Sequence, residues 1–274
     1  MSTTQPFVNA GEPPSSAQLA RVMQRQQLHR LSWVVASISL TCLVAYGACA
    51  ANRNEDCSSR LAIAYMRLMN MSRQGIPDPK VVEQNRHLLL IASHDCPVPD
   101  GGLKVPMMGT WTRGTFAIAA NDLSWVSHNA NAIRDEARAA GEARLYPLHV
   151  AAGFATRPMV ELLISRGFDV NQREPGGETP LMVSAYLDLQ TDSENSEALI
   201  KAGADVNAIS DNGSTALFFA VAQEDAPLVA TLLHAGALVR AGGKSDYSVI
   251  TLTRKHGNAK IVALIEKADS PSPK

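Results

Sequence analysis

The 274 residues carry 25 Lys and Arg against 26 Asp and Glu, a formal net charge of −1, which leaves no basic field to hold a nucleic-acid backbone. Seven histidines are scattered without an HExxH or other metal-ligand spacing, and aromatics are only 5%. The length allows one or two domains.

The chain opens with MSTTQPFVNAGEPPSSAQ, rich in Ser, Thr, Pro and Gly and poor in residues to bury. A disordered cytoplasmic tail is expected over residues 1–28. A transmembrane helix is expected over residues 29–52, because no charge stands between Arg30 and Arg53. The 21 residues from Leu31 to Ala51 would span about 31 Å as a helix, the thickness of a hydrocarbon core. Arg21, Arg25 and Arg30 precede the run and Arg53 and Arg60 follow it, a bias that favours a cytoplasmic N-terminus. An uncleaved signal-anchor fits the length best. A cleaved signal peptide ending at Ala48 and Ala50 is the second reading. Lipidation at Cys49 ranks third, since Tyr46 stands where a lipobox usually has Leu. A buried soluble helix is the bland alternative.

Residues 53–96 predict a helical hairpin. Leu61, Tyr65, Leu68 and Met69 recur at helical spacing, as do Val81, Leu88, Leu89 and Ala92, and Gly75–Pro79 (GIPDP) separates the two sets. Antiparallel helices would bring Cys57 beside Cys96. In an oxidising compartment these should form a disulfide, on the order of 4 kcal/mol by loop-closure entropy. His87, His94 and Asp95 imitate a metal site but read as solvated helix-end residues. Residues 97–114 read as a Pro/Gly-rich linker. Residues 115–141 read as a divergent capping unit, with an Ala-Ala pair and a terminal Gly but the wrong internal spacing.

Beyond residue 142 a phrase repeats. Pro147, Pro180 and Ala216 stand 33 and then 36 residues apart, and Gly167, Gly203 and Gly236 stand 36 and then 33 apart. Such a period marks a stacked solenoid. Thr179 and Thr215 suit helix N-caps, Pro180 suits a first helical position, and each Gly sits where a helix would stop. Tyr146-Pro147-Leu148-His149-Val150-Ala151-Ala152, Thr179-Pro180-Leu181 and Gly203-Ala204-Asp205-Val206-Asn207 carry the phrase most fully. On these residues the chain resembles the ankyrin repeat family, in its membrane-anchored or exported bacterial type, over residues 142–268. Met182 and Phe218 stand where the family usually has His, and the second unit has three extra residues, placed between Leu187 and Asn195. A closing cap is expected from Ser248 to Ile265, and residues 269–274 read as a disordered tail. The predicted fold class is therefore all-α, an ankyrin-repeat solenoid preceded by the transmembrane helix and the disulfide-stapled hairpin.

The resemblance implies a binding scaffold whose inner-helix ends and loop tips form a concave surface. By position those sites are Phe154, Tyr186 with Leu187, Gln223, and Lys255 with His256. The loop tips offer Arg173, Glu174, Asp211, Asn212, Lys244 and Ser245, and the turn positions Glu178, Ser214 and Tyr247. Phe154, Tyr186 and Tyr247 stand out as aromatic anchors. Asp188, Asp192, Glu194 and Glu197 make the insertion acidic. His149 reads as the helix-start residue of its unit rather than a base. No nucleophile elbow, phosphate loop or Cys-His arrangement is legible, so no enzyme, cofactor, metal or small-molecule substrate is expected.

The expected function is a non-catalytic protein-binding scaffold on the inner membrane, single-pass, with the bulk of the chain periplasmic. A periplasmic or outer-membrane lipoprotein after signal cleavage is the alternative location. An immunity or inhibitor protein against a toxin or hydrolase is one version, and an adaptor tethering an envelope complex is the other. A cytoplasm-facing regulatory protein is the rival in inverted orientation, and an enzyme with an unrecognised site ranks last.

Overall fold

A computed structural model describes residues 64, 67, 78–96, 98, 103–105, 109–139, 146–187, 193–242, 249–256 and 258–270. The apolar run Leu31–Ala51, the tails at 1–28 and 271–274, Cys49, Cys57, Asp188, Asp192, Lys244, Ser245 and Tyr247 lie outside these residues. Among the described residues no helix is long and apolar enough to cross a membrane.

Helix α1 (Pro79–Asp95) starts where Pro is harmless, and the Asp78 carboxylate accepts the Lys80 N–H at 2.9 Å. Its buried stripe is Val82, Arg86, Leu89, Ala92, Ser93 and Cys96; of the expected stripe Leu89 and Ala92 are buried, while Val81 and Leu88 are exposed. Four consecutive apolar residues, Leu88–Ile91, allow two helical phases in the sequence. Packing against the next helix selects one of them. Cys96 is buried and disulfide-bonded. Its expected partner Cys57 falls outside the described residues, as do most of the residues expected to form the hairpin's first helix.

The linker expected at 97–114 is corrected by an antiparallel β-hairpin. Strand β1 (Leu103–Val105) pairs with β2 (Gly109–Trp111) in the register Leu103 to Trp111, Lys104 to Thr110 and Val105 to Gly109. The all-α expectation therefore holds for the repeats but not for this connection. The strands are too short for periodicity to announce them. What fixes them is Trp111, fully buried with its ring 5.0 Å from that of Phe116.

Helix α2 (Arg113–Ala119) begins at a capping box, with the Thr112 and Thr115 side chains bonding each other's backbone N–H. Helix α3 (Leu123–Ala139) follows after a turn at Asn121, whose φ of 62° is left-handed. Four more pairs follow: α4 (Pro147–Phe154) with α5 (Arg157–Ser165), α6 (Pro180–Leu187) with α7 (Glu194–Lys201), α8 (Ala216–Ala222) with α9 (Ala226–His234), and α10 (Val249–His256) with α11 (Ala259–Asp269). The turn between α8 and α9 carries Glu224 at φ 58°, the counterpart of Asn121. The α2/α3 pair is thus built like a repeat, and its 17-residue second helix explains the mismatched spacing.

Stacking follows the chain. In the inner row α2, α4, α6, α8 and α10 each pack on the next, and α1 lies against α2. The outer row runs α3 on α5 on α7, with α9 on α11. The inner helices α2, α4, α6 and α8 consist mostly of buried residues, among them Leu148, Val150 and Ala151 in α4 and Leu217, Phe219 and Ala220 in α8. A pair this thin cannot cover its own apolar face, so each unit is stabilised by its neighbours.

Local signals behave as read. Thr215 Oγ1 accepts the Phe218 N–H at 3.1 Å, and Thr179 Oγ1 accepts that of Met182 at 3.4 Å. Gly167, Gly203 and Gly236 take φ of 77°, 92° and 91° at helix ends. The three extra residues of the second unit fall between α6 and α7, where Ser193 turns the chain at φ 54°. A carboxamide ladder ties successive units together. Asn171 Oδ1 accepts the Asp205 N–H at 2.7 Å while its Nδ2 donates to the Gly203 carbonyl at 3.1 Å. Asn207 does the same to Leu238 N and Gly236 O, at 2.8 and 3.0 Å.

Candidate partner-binding surface

The inner-helix ends meet solvent differently from the sequence expectation. Phe154, expected to face solvent, is 3% exposed. Arg86 of α1, also 3% exposed, donates from Nε and Nη2 to the Phe154 carbonyl at 2.9 and 2.6 Å. The helix end that a free first unit would show is closed over by the chain that precedes it. Phe154 is therefore a core residue.

Tyr186 is exposed, at 39%. Its ring lies 5.5 Å from that of Phe219 in α8, tilted by 53°, and the Tyr186 carbonyl accepts the Gln223 side-chain N–H at 2.8 Å. Leu187, half-buried, leans over Gly153 of α4, where an added Cβ would meet its Cδ1 at 3.2 Å. Tyr186, Leu187 and Gln223 thus form one continuous patch across the ends of α6 and α8. Phe219, which fixes the Tyr186 ring, was not singled out in the sequence because it is itself buried. The side chains of Lys255 and His256 lie outside the described ones.

The loop tips form fingers. In the first, the Glu174 N–H donates to the Glu178 carbonyl at 3.0 Å and the Gly177 N–H to the Glu174 carbonyl at 2.7 Å. In the second, Asn212 Oδ1 accepts from Ser210 Oγ at 2.6 Å and from the Ser214 N–H at 3.0 Å. The fingers touch: the Asp211 N–H donates to the Gly176 carbonyl at 3.0 Å, and Arg173 Nη2 donates to the Ile209 carbonyl at 2.6 Å. Arg173 also lies 3.6 Å from the Asp211 carboxylate. Ser214, expected at a turn surface, is buried with its N–H bonded to Ser210 Oγ at 3.1 Å.

Two titrating groups underlie the first finger. Burial, with Glu174 beside it, raises the Glu178 carboxyl to about 7, and burial likewise pushes Glu174 upward. His149 is buried and depressed to about 4 by desolvation. Its Nε2 lies 3.0 Å from the Glu178 carbonyl, which can only accept, so the neutral ring carries its proton on Nε2. His149, read from the sequence as the helix-start residue of its unit, thus also ties α4 to the turn before α6.

No group of three or more His, Cys, Asp or Glu able to hold a metal occurs among the described residues. His94 instead bonds Asp122 at 2.9 Å, tying α1 to the turn before α3. Of the acidic insertion, Glu194 and Glu197 are exposed, with Glu197 3.8 Å from Arg157.

Residues 148–242 match the ankyrin repeat model in three copies. The human "Ankyrin repeat and SOCS box protein 6" is 36% identical over 114 residues, covering 38% of this chain and 26% of that protein. The human "Neurogenic locus notch homolog protein 1" is 36% identical over 92 residues, 33% of this chain and 4% of that protein. A zebrafish "Putative palmitoyltransferase ZDHHC13" is 32% identical over 109 residues, 39% of this chain and 17% of that protein. The chain spans about a quarter or less of the length of these relatives. What it shares with them is the ankyrin repeats, modules that suggest a protein-binding scaffold.

Proposed function

We propose that the ankyrin repeats hold a protein partner on the patch formed by Tyr186, Leu187 and Gln223, with the fingers at Arg173–Glu178 and Ser210–Ser214 completing the contact. The observation that carries this reading is Tyr186: a large exposed aromatic already immobilised by the Phe219 ring and the Gln223 side chain. An anchor held in place before binding loses little entropy on docking. Arg173, Glu178 and Asp211 on the fingers offer polar groups suited to a rim. The scaffold is non-catalytic in this reading.

The second half of the proposal concerns place. The uncharged run Leu31–Ala51 supports a single-pass anchor, with the repeats on the far side of the inner membrane. The bonded state of Cys96 fits an oxidising compartment, with Cys57 as its partner. In that setting the scaffold acts as an immunity or inhibitor protein that neutralises a toxin or hydrolase. An adaptor tethering an envelope complex is the second version.

The test is affinity capture with the whole chain, comparing the unaltered protein with Tyr186→Ala. Loss of an anchor worth about 2 kcal/mol would cut retention of the partner roughly thirtyfold. Retention unchanged in Tyr186→Ala would overturn the site. A Cys57→Ser chain that migrates like the unaltered one without reductant would overturn the compartment.

A further inference from the structure

The second unit is built differently inside from the units on either side of it. Counted back from the helix-ending glycines, Asn195 and Ser196 of α7 stand where α5 has Met159 and Val160 and where α9 has Leu228 and Val229. Counted on from the helix starts, Ser184 of α6 stands where α4 has Ala151 and α8 has Ala220. All of these residues are buried, so the difference lies in chemistry and not in exposure. The Ser184 and Ser196 hydroxyls bond each other at 2.7 Å between α6 and α7. Asn195 Nδ2 donates to the Ala152 and Ala155 carbonyls at the end of α4, at 3.2 and 3.0 Å, which fixes the orientation of the carboxamide. Its buried Oδ1 then meets no donor among the described residues.

The outer row breaks at the same place. Helix α7 packs on α5 and α6, and α9 packs on α8 and α11, but α7 and α9 do not pack along their lengths. The turns ahead of the two helices are joined by a bond from Ser193 Oγ to Asp225 Oδ2 at 3.2 Å.

We infer that α7 is the soft joint of the solenoid: it opens ahead of α5 and α9 while the inner row beneath it stays packed. Two causes act together. Apolar side chains in α5 and α9 are stabilised by leaving water, whereas a buried polar pair gains little net and an unmet acceptor costs free energy. A thin unit also depends on its neighbours, and α7 has one on a single side of the outer row. Helix α6 is better held, between α4 and α8, with its Tyr186 carbonyl accepting from Gln223 Nε2. Tyr186 therefore stands in the unit whose outer support gives way first, and a partner gripping it meets a groove that adjusts its curvature there. Only this use rests on the proposed partner surface. The softness of α7 is a property of the chain alone, so the capture experiment with Tyr186→Ala and the measurement below can fail separately.

Amide hydrogen exchange on the whole chain tests the joint at equivalent positions: Leu199 and Ile200 in α7, Leu163 and Ile164 in α5, Leu232 and Leu233 in α9. The α7 amides are expected to be at least roughly tenfold less protected than those of both other helices. Ser184→Ala combined with Ser196→Val installs the residues of both neighbouring units and removes both hydroxyls at once, and it should close most of the gap. Equal protection of the three helices in the unaltered chain overturns the joint. So does a gap that the double variant leaves unchanged. If the double variant does not fold, the reverse exchange in the third unit decides, Ala220→Ser with Val229→Ser. A fall of α9 protection to the level of α7 sustains the joint, and protection that stays where it was overturns it.

Discussion

Arg240 grips Asp269 with both arms of its guanidinium: Nε donates to Oδ1 at 2.8 Å and Nη2 to Oδ2 at 2.7 Å. Arg240 occupies the position held in the two preceding units by Asn171 and Asn207, which pass a carboxamide to the next unit. The ladder stops there, and a charged fork reaches across to the last helix instead. Asp269→Asn should therefore loosen α11 selectively. Amide protection in α11 is expected to fall while that in α4 and α5 is unchanged, and a uniform loss along the stack would refute the assignment.

Within the ladder itself, Asn207→Ala removes an acceptor for Leu238 N and a donor to Gly236 O together. A cost of about 1–2 kcal/mol is expected, read from urea unfolding. The same measurement on Asp211→Asn, which leaves the Asp211 backbone bond to Gly176 in place, should move much less.

Phe154 and Tyr186 separate packing from recognition. Phe154→Ala should cost about 3–5 kcal/mol of stability, since its side chain is buried. Tyr186→Ala, at 39% exposure, should cost well under half of that and act on partner retention instead. Thermal unfolding of the two variants side by side gives the comparison.

Two glycines with the same backbone sign should differ. Gly203, at φ 92°, has nothing within 4 Å of an added Cβ, so Gly203→Ala should cost only the left-handed penalty of about 1 kcal/mol. Gly177, at φ 75°, adds a collision with the Asp211 backbone at 2.9 Å. Gly177→Ala should cost roughly twice as much or more, and chemical denaturation of both variants would show the order.

Glu178 and His149 pull stability against pH in opposite directions. Glu178 is raised in the folded state, to about 7, so the stability it carries is fully present below its unfolded value near 4.5 and is lost as pH rises to 7. His149 is depressed to about 4 from 6.5, so its contribution is present above 6.5 and lost as pH falls to 4. Glu178→Gln should unmask the histidine slope, with stability rising between 4 and 6.5, by on the order of 3 kcal/mol at most. His149→Asn should unmask the opposite slope. Parallel pH curves for the two variants would contradict the opposition.

The solenoid was legible because its signals are local. Pro180, Thr215 and Gly203 act within a few residues of themselves, and the 33-residue period places them without knowledge of the fold. The capping unit was half legible: Asn121 does the work of Glu224, but a left-handed turn at a non-glycine residue has no sequence mark. The β-hairpin was missed because three-residue strands have no readable alternation. Phe154 was misjudged for a different reason. Its carbonyl is held by Arg86, 68 residues earlier, and a charged residue on an apolar stripe reads as solvated until its acceptor is known. Tyr186 was placed correctly, yet its support by Phe219 depends on how two units stack.

The Arg86 guanidinium on the Phe154 carbonyl has a practical corollary. Anyone trimming this molecule to its recognisable modules would cut at about residue 142 and discard the bolt along with the lid it fastens. The side of α4 that α2 covers would then be left bare and greasy, and clumping of the shortened piece would say nothing against the repeats themselves.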